Sequence, residues 1–136
     1  MTVSDFARVH GMIIVWARLQ GPRGERDVRL ALDTAATKTL VIPDVLDDLG
    51  YAARDGVGIT VIRTANHDPE PGYLLRVQRF FALGFGFSNF EIHAHDLPDY
   101  GIDGLLGMNF LENFDFAVRS VLRKIYLEHV SSPLAA

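Results

Sequence analysis

The sequence predicts an all-β fold, mainly strand with two short helices. Three observations predict it: segments in which apolar and polar residues alternate, turn-forming residues at short intervals between them, and only two brief stretches with helical start and stop signals. No strand alternates with a long helical pattern, which excludes a doubly wound parallel sheet. At 136 residues, 49% hydrophobic and 22% charged, the chain is expected to form one domain over 1–136 with one core spanning about 12–127.

From Met12 to Leu19 the chain is rich in Ile, Val and Trp, QGPRGER supplies turn residues, and VRLALD resumes with alternation. This is a β-hairpin. Val28, Leu30 and Leu32 share one face, so Asp33 leaves the strand on the other side and enters a Thr-Ala-Ala-Thr loop. A short helix follows: Pro43 near its start, acidic Asp44, apolar Val45, Leu46 and Leu49 on one face, and Gly50 at the end. Gly58 to Thr64 reads as a strand, Ala65 to Gly72 as an exposed loop and Tyr73 to Phe81 as a returning strand, together a long hairpin.

Phe85 to His95 is expected to be strand, with a turn from Leu97 to Gly101. Leu105 and Leu106 read as strand, Gly107 as a break, and Met108 to Phe114 as a helix burying Phe110, Leu111 and Phe114. Phe116 to Val121 and Lys124 to Leu127 are two more strands, and SSPLAA is expected to fray or to serve an interface. Strand, tight loop and short helix thus occur twice, around Asp33 and around Gly107.

The formal charge of -4 and a pI near 5.6 give no basic field, so no nucleic-acid partner is expected. No apolar stretch approaches the ~18 residues of a membrane span, and the start of the chain does not read as a signal peptide. No membrane partner is expected, and cytoplasm is the default compartment. The absence of Cys excludes disulfides, thiolate metal sites and a Cys nucleophile. A mean hydropathy of +0.14 with nine Phe points to apolar surface that a subunit interface would cover.

Several residue clusters have an ordinary structural reading. His93 and His95, two apart on a strand, could ligate a metal, but no third ligand stands at suggestive spacing; a solvated face opposite Ile92 and Ala94 is expected, and no metal or cofactor. His10, His67 and His129 are expected to be exposed. Asp103 reads as a turn residue, and Asp44, Asp47 and Asp48 as a solvated helix face. Phe80, Phe81, Phe85, Phe87 and Phe90 read as core and interface packing. GFGF at Gly84 lacks the flanks of a phosphate loop, and no Ser has a nucleophile motif around it.

Four segments in order, LALDTAAT, VIPDVLDDLGY, RTANH at a hairpin tip and DGLLGMNFL, resemble the retropepsin-like, single-domain aspartic proteases of retroviruses and many bacteria, over roughly 12–127. The resemblance implies an acid protease fold: a closed, β-barrel-like single lobe with a flap hairpin. It implies Asp33 as the catalytic carboxylate and Thr34 as the residue whose hydroxyl joins two loops across a dimer axis. Ala35 stands where the family has Gly, a departure that places a methyl at a close approach. Thr64, Ala65 and Asn66 of the flap, with Leu105, Leu106 and Gly107, are the implied substrate-binding residues.

Such an enzyme needs two carboxylates sharing a proton, and this chain has one Asp-Thr motif, so the implied enzyme is a homodimeric endopeptidase acting on extended polypeptide. The rival expectation, founded on Ala35, is a non-catalytic peptide-binding or dimerisation domain with the same fold.

Overall fold

The computed structural model describes residues 1–63, 69–98 and 100–129. It opens with two strands that the sequence reading passed over, β1 (Thr2–Asp5) and β2 (Ala7–Val9). Both are short and largely exposed or half-buried, so neither carries a strong apolar signature. β3 (Met12–Gly21) and β4 (Gly24–Leu32) form the expected hairpin, tighter than QGPRGER implied: Gly21 pairs with Gly24, and Pro22 and Arg23 alone make the turn.

β5 (Leu40–Val41) leads into α1 (Pro43–Asp48), which ends as predicted near Gly50, whose φ is +90°. A single turn at Ala53–Asp55 precedes β6 (Gly58–Arg63), β7 (Pro69–Ala82) and β8 (Phe85–Ala94). β9 (Gly104–Leu106), α2 (Met108–Leu111), β10 (Asp115–Arg119) and β11 (Lys124–Glu128) complete the order.

Two expected boundaries move. β7 begins at Pro69, so 69–72 is strand rather than loop, and 65–68 lie outside the described residues. Pro69 and Pro71 are tolerated because they pair with β6 alone; β8 joins β7 only from Tyr73 onward. The second helix stops at Leu111 rather than Phe114, although Phe114 remains buried. Of SSPLAA nothing falls within the described residues.

The larger sheet runs β2-β3-β4-β9-β5-β8-β7-β6 and closes because β3 also pairs with β7. β3 shares one edge between two partners: β2 takes Met12 to Ile14 and β7 takes Ala17 to Gln20. Six strands therefore form a ring. β1, β11 and β10 make a separate antiparallel sheet whose inward residues Ile125 and Leu127 join the same core.

That core is dominated by Leu19, Leu30, Leu46, Phe80, Leu106 and Phe110, all fully buried. Phe80 stacks on Phe90 with centroids 4.6 Å apart and meets Phe110 edge-on at 5.7 Å. Phe85 and Phe87 pack against the cluster, whereas Phe81 is 43% exposed. Geometry of this kind contributes roughly 0.5–1.5 kcal/mol per aromatic pair beyond area burial.

The twofold plan of the sequence is visible as two parallel strands: β4 and β9 run side by side, Leu30 opposite Gly104 and Leu32 opposite Leu106. The copies differ after that. The first inserts β5 before its helix, while Gly107 leads straight into α2. β5 threads between β9 (antiparallel) and β8 (parallel). The passage is so close that a Cβ on Gly104 would overlap the Leu40 carbonyl oxygen and lie 2.9 Å from its carbon. Gly104→Ala is thus expected to destabilise the fold by about 3 kcal/mol or more, at or above the upper range of core overpacking. Gly58→Ala, whose Cβ would meet only Leu74 Cδ1 at 3.6 Å, is the control. Urea denaturation of the two variants would read the difference.

Candidate functional site

Asp33 stands where β4 ends. Its N–H donates to the Leu106 carbonyl at 3.0 Å, so the ladder with β9 persists one residue beyond the strand. The chain then turns: Ala36 N–H donates to Asp33 O at 3.2 Å, and Ala35 N–H donates to Asp33 Oδ1 at 2.9 Å. The carboxylate is thereby fixed through one oxygen, an Asx-type turn. Asp33 is half-buried, while Thr34 and Ala35 are exposed. The Thr34 hydroxyl has no hydrogen-bond partner among the described residues. Ala35 does not occupy the left-handed region of φ, so its backbone is unstrained by the side chain.

The loop is fastened from behind by the segment after β9. Met108 N–H donates to Ala36 O at 2.7 Å and Asn109 N–H to Thr37 O at 3.0 Å. A Cβ on Gly107 would lie 2.6 Å from the Lys38 carbonyl carbon and 2.9 Å from Ala36 O, so only glycine lets the two segments approach. Thr39 is fully buried. Its N–H and hydroxyl both donate to Asn109 Oδ1, at 2.8 and 2.9 Å, and its hydroxyl accepts from Gly107 N–H at 3.1 Å. Asn109 Nδ2 donates in turn to Glu91 O at 2.7 Å.

The sequence reading missed Thr39 and Asn109. Their signal was a polar side chain inside the apolar runs TLVIP and MNFL, where the pattern calls for burial and burial calls for a partner.

Lys38 Nζ donates to Glu91 Oε1 at 2.6 Å, with Arg76 Nε 3.9 Å from the other oxygen. The Lys38 hydrogen bond, reinforced by both cations, holds the Glu91 carboxyl below its usual range. Burial, and then Lys38, push His93 down, which favours its neutral form. The expected solvated histidine face is therefore corrected: His93 is half-buried near the end of β8 and His95 is buried just past it, their N–H groups donating to Thr39 O and Val41 O as the β5 segment packs alongside. Among the described residues no three His, Cys, Asp or Glu side chains converge as a metal site.

The remaining sequence-nominated residues fall in different places. Leu106 is fully buried in the main core and Gly107 is buried beneath the Asp33 loop. Leu105 is half-buried against Ile14, Ala31 and Ile102. Thr64, Ala65 and Asn66 lie outside the described residues, as does His67. Asp103 pairs its backbone with Ile42 and Arg29 and accepts from Arg29 N–H through Oδ2 at 2.9 Å, a structural use of that carboxylate. Asp44, Asp47 and Asp48 are exposed, Asp48 paired with Arg26, and His10 and His129 are exposed. Two shallow cavities of about 250 and 310 Å³ lie over the outer face of β3, against Arg18 and Phe81; no residue of either belongs to the Asp33 or Gly107 loops.

A family model described as aspartyl protease matches residues 17–110. No curated protein matches the chain. Among solved structures, the chain is similar to a retropepsin-like aspartic protease from Rickettsia conorii, with a TM-score of 0.67 and 22% identity over 92% of this chain and 89% of that one. The likeness establishes a retropepsin-like fold.

The Lys38–Glu91 pair has a pH signature. A carboxyl held low in the folded state stabilises fully above its unfolded value, and that stability is lost as pH falls through the folded value. Lys38→Met is expected to flatten the stability profile between about pH 5 and pH 3. Both side chains remain partly exposed, 36% and 28%, so solvent screening limits the loss at pH 7 to about 1 kcal/mol or less. Denaturant titrations across that range would check both.

Proposed function

Because the chain belongs to the aspartyl protease family, we propose that it is an aspartic endopeptidase acting as a homodimer, in which two Asp33 carboxylates activate the water that hydrolyses a peptide bond. The observation that carries this reading is the Asp33 turn itself. One carboxylate is held by its own backbone at the end of a core strand, supported behind and open in front, beside an exposed Thr34 hydroxyl with no partner among the described residues.

In the proposed mechanism one Asp33 is ionised and its mate carries the shared proton. The ionised carboxylate takes a proton from water as the water oxygen attacks the scissile carbonyl carbon, and the protonated mate hydrogen-bonds the developing oxyanion. Collapse of the tetrahedral intermediate breaks the C–N bond, with a proton passing to the leaving nitrogen. Thr34 hydroxyls tie the paired loops across the axis. An extended substrate lies along the groove by backbone hydrogen bonding, under the hairpin of β6 and β7, with Thr64, Ala65 and Asn66 among the residues proposed to bind it. Leu105 walls the groove, while Leu106 and Gly107 support the Asp33 loop from below.

Asp33→Asn is expected to abolish cleavage of a peptide library with the fold intact, and wild-type activity to fall toward high pH as the shared proton is lost. Sedimentation is expected to show a dimer. Undiminished turnover in the variant, or activity in a strict monomer, would place the chemistry elsewhere.

Ala35 favours a second reading, a peptide-binding or dimerisation domain without turnover. Its methyl is exposed on its own chain, so any crowding arises against a partner or a substrate. Ala35→Gly is expected to raise the hydrolysis rate while lowering stability by roughly 0.4–1 kcal/mol through the unfolded state. If wild type and Ala35→Gly both bind peptide but cleave none from acidic to neutral pH, the second reading replaces the first.

A further inference from the structure

Beyond its own turn, Asp33 is held from behind by a relay. Its N–H rests on Leu106 O, the next residue Gly107 donates its N–H to the Thr39 hydroxyl, and that hydroxyl donates onward to Asn109 Oδ1. A hydroxyl has one proton. With that proton committed to Asn109, its lone pair is turned toward Gly107, so the amide fixes the direction in which Thr39 accepts. Asn109 is itself oriented from the far side, because its Nδ2 donates to the backbone of Glu91 in β8 at 2.7 Å. The assignment of its oxygen and nitrogen follows from these partners: two donors of Thr39 face one atom and a carbonyl faces the other.

Thr39 is completely buried, and the relay joins both ends of the 33–39 loop to the same four residues after Leu105. Six hydrogen bonds join 106–109 to 33–39 and, with the close approach at Gly107, fasten the loop to the segment that continues β9.

We propose that Thr39 and Asn109 are positioning residues for the Asp33 carboxylate, acting through Gly107 and Leu106 without touching substrate. This rests on the protease reading given above. Two catalytic carboxylates must meet within hydrogen-bonding reach of one water, and a displacement of about 1 Å at such a site can lower the rate on the order of 100-fold. Substrate binding, made along the groove by other groups, depends far less on that distance.

The test separates positioning from bulk. Thr39→Val keeps shape and removes the hydroxyl, whereas Thr39→Ser keeps the hydroxyl and removes the methyl. The expected result is a fall in kcat of about 10- to 100-fold for Thr39→Val with KM little changed, and recovery of kcat in Thr39→Ser. Amide hydrogen exchange should show protection lost at Asp33 and Gly107 in Thr39→Val and kept at Leu30 and Ile125. An unchanged kcat in folded Thr39→Val, or a Thr39→Ser enzyme as slow as Thr39→Val, overturns the proposal.

If the wild type cleaves nothing, the protease reading fails separately, and exchange at Asp33 and Gly107 still decides whether the relay holds the loop; unaltered protection there overturns it. Should Thr39→Val not fold, Asn109→Asp replaces it. The ionised side chain would keep both Thr39 bonds but oppose the Glu91 carbonyl with a second acceptor, so the protonated form is favoured and loop protection should weaken with rising pH. A pH-independent protection pattern matching wild type would again overturn the proposal.

Discussion

The close passage of Leu40 beneath Gly104 is the constraint on which the rest of the structure depends. β5 is two residues long, yet it joins the two halves of the ring, bonded to β9 on one side and β8 on the other. Such a short strand contributes few ladder bonds, so its place is set by the sterics around it. Glycine at 104 and again at 107 lets the preceding segment sink against β9 until backbone meets backbone. Leu30, opposite Gly104 on the parallel strand, and Leu106, between the two glycines, then fill the space on the core side. The loop that carries Asp33 is the covalent link between β4 and this strand, so the continuity of the ring at β5 and the carboxylate's position are one geometric problem.

That geometry explains why polar side chains occur where the core would otherwise be apolar. Between Asp33 and Thr39 the backbone leaves the sheet, and where it is covered its N–H and C=O groups need partners. Backbone N–H groups of α2's first turn satisfy the carbonyls of Ala36 and Thr37, the Asn109 carboxamide satisfies the Thr39 N–H, and the Thr39 hydroxyl satisfies the Gly107 N–H on the facing segment. Leaving one of these groups unpaired would cost roughly 1–3 kcal/mol, comparable to the contribution of a well-buried aliphatic side chain. The Lys38–Glu91 pair, by contrast, is partly exposed and adds orientation to β8 more than stability.

Much of the fold was legible because its signals are local. The alternation in VRLALD, Pro43 with Gly50 around α1, and Gly107 between LL and MNFL each name an element from a few residues, and each element is there. Asp33 was legible for the same reason, as a carboxylate at the end of an apolar strand. What could not be read depends on pairing at a distance. β1 is a strand because β11, some 120 residues away, lies beside it; β5 is a strand because of Gly104. His95 is buried just past the end of β8, where its N–H donates to the Val41 carbonyl, a contact with a segment distant in sequence. Thr39 and Asn109 find each other across 70 residues, and nothing adjacent to either announces the other.

Ala35 joins these threads. Within its own chain the methyl is free of strain: the backbone avoids the left-handed region, the side chain faces solvent, and the N–H still holds the Asp33 carboxylate. Nothing in the relay behind the loop would sense it. In the proposed dimer, any cost of a methyl at this place therefore falls across the two-fold axis, between copies or against substrate. A catalytic site assembled from two chains has a rate set both by its geometry and by the fraction of chains paired. A methyl that crowds the axis acts first on that fraction, so its effect would grow with dilution and fade at high protein concentration. A methyl that displaces the attacking water acts on geometry alone and would slow the reaction equally at every concentration.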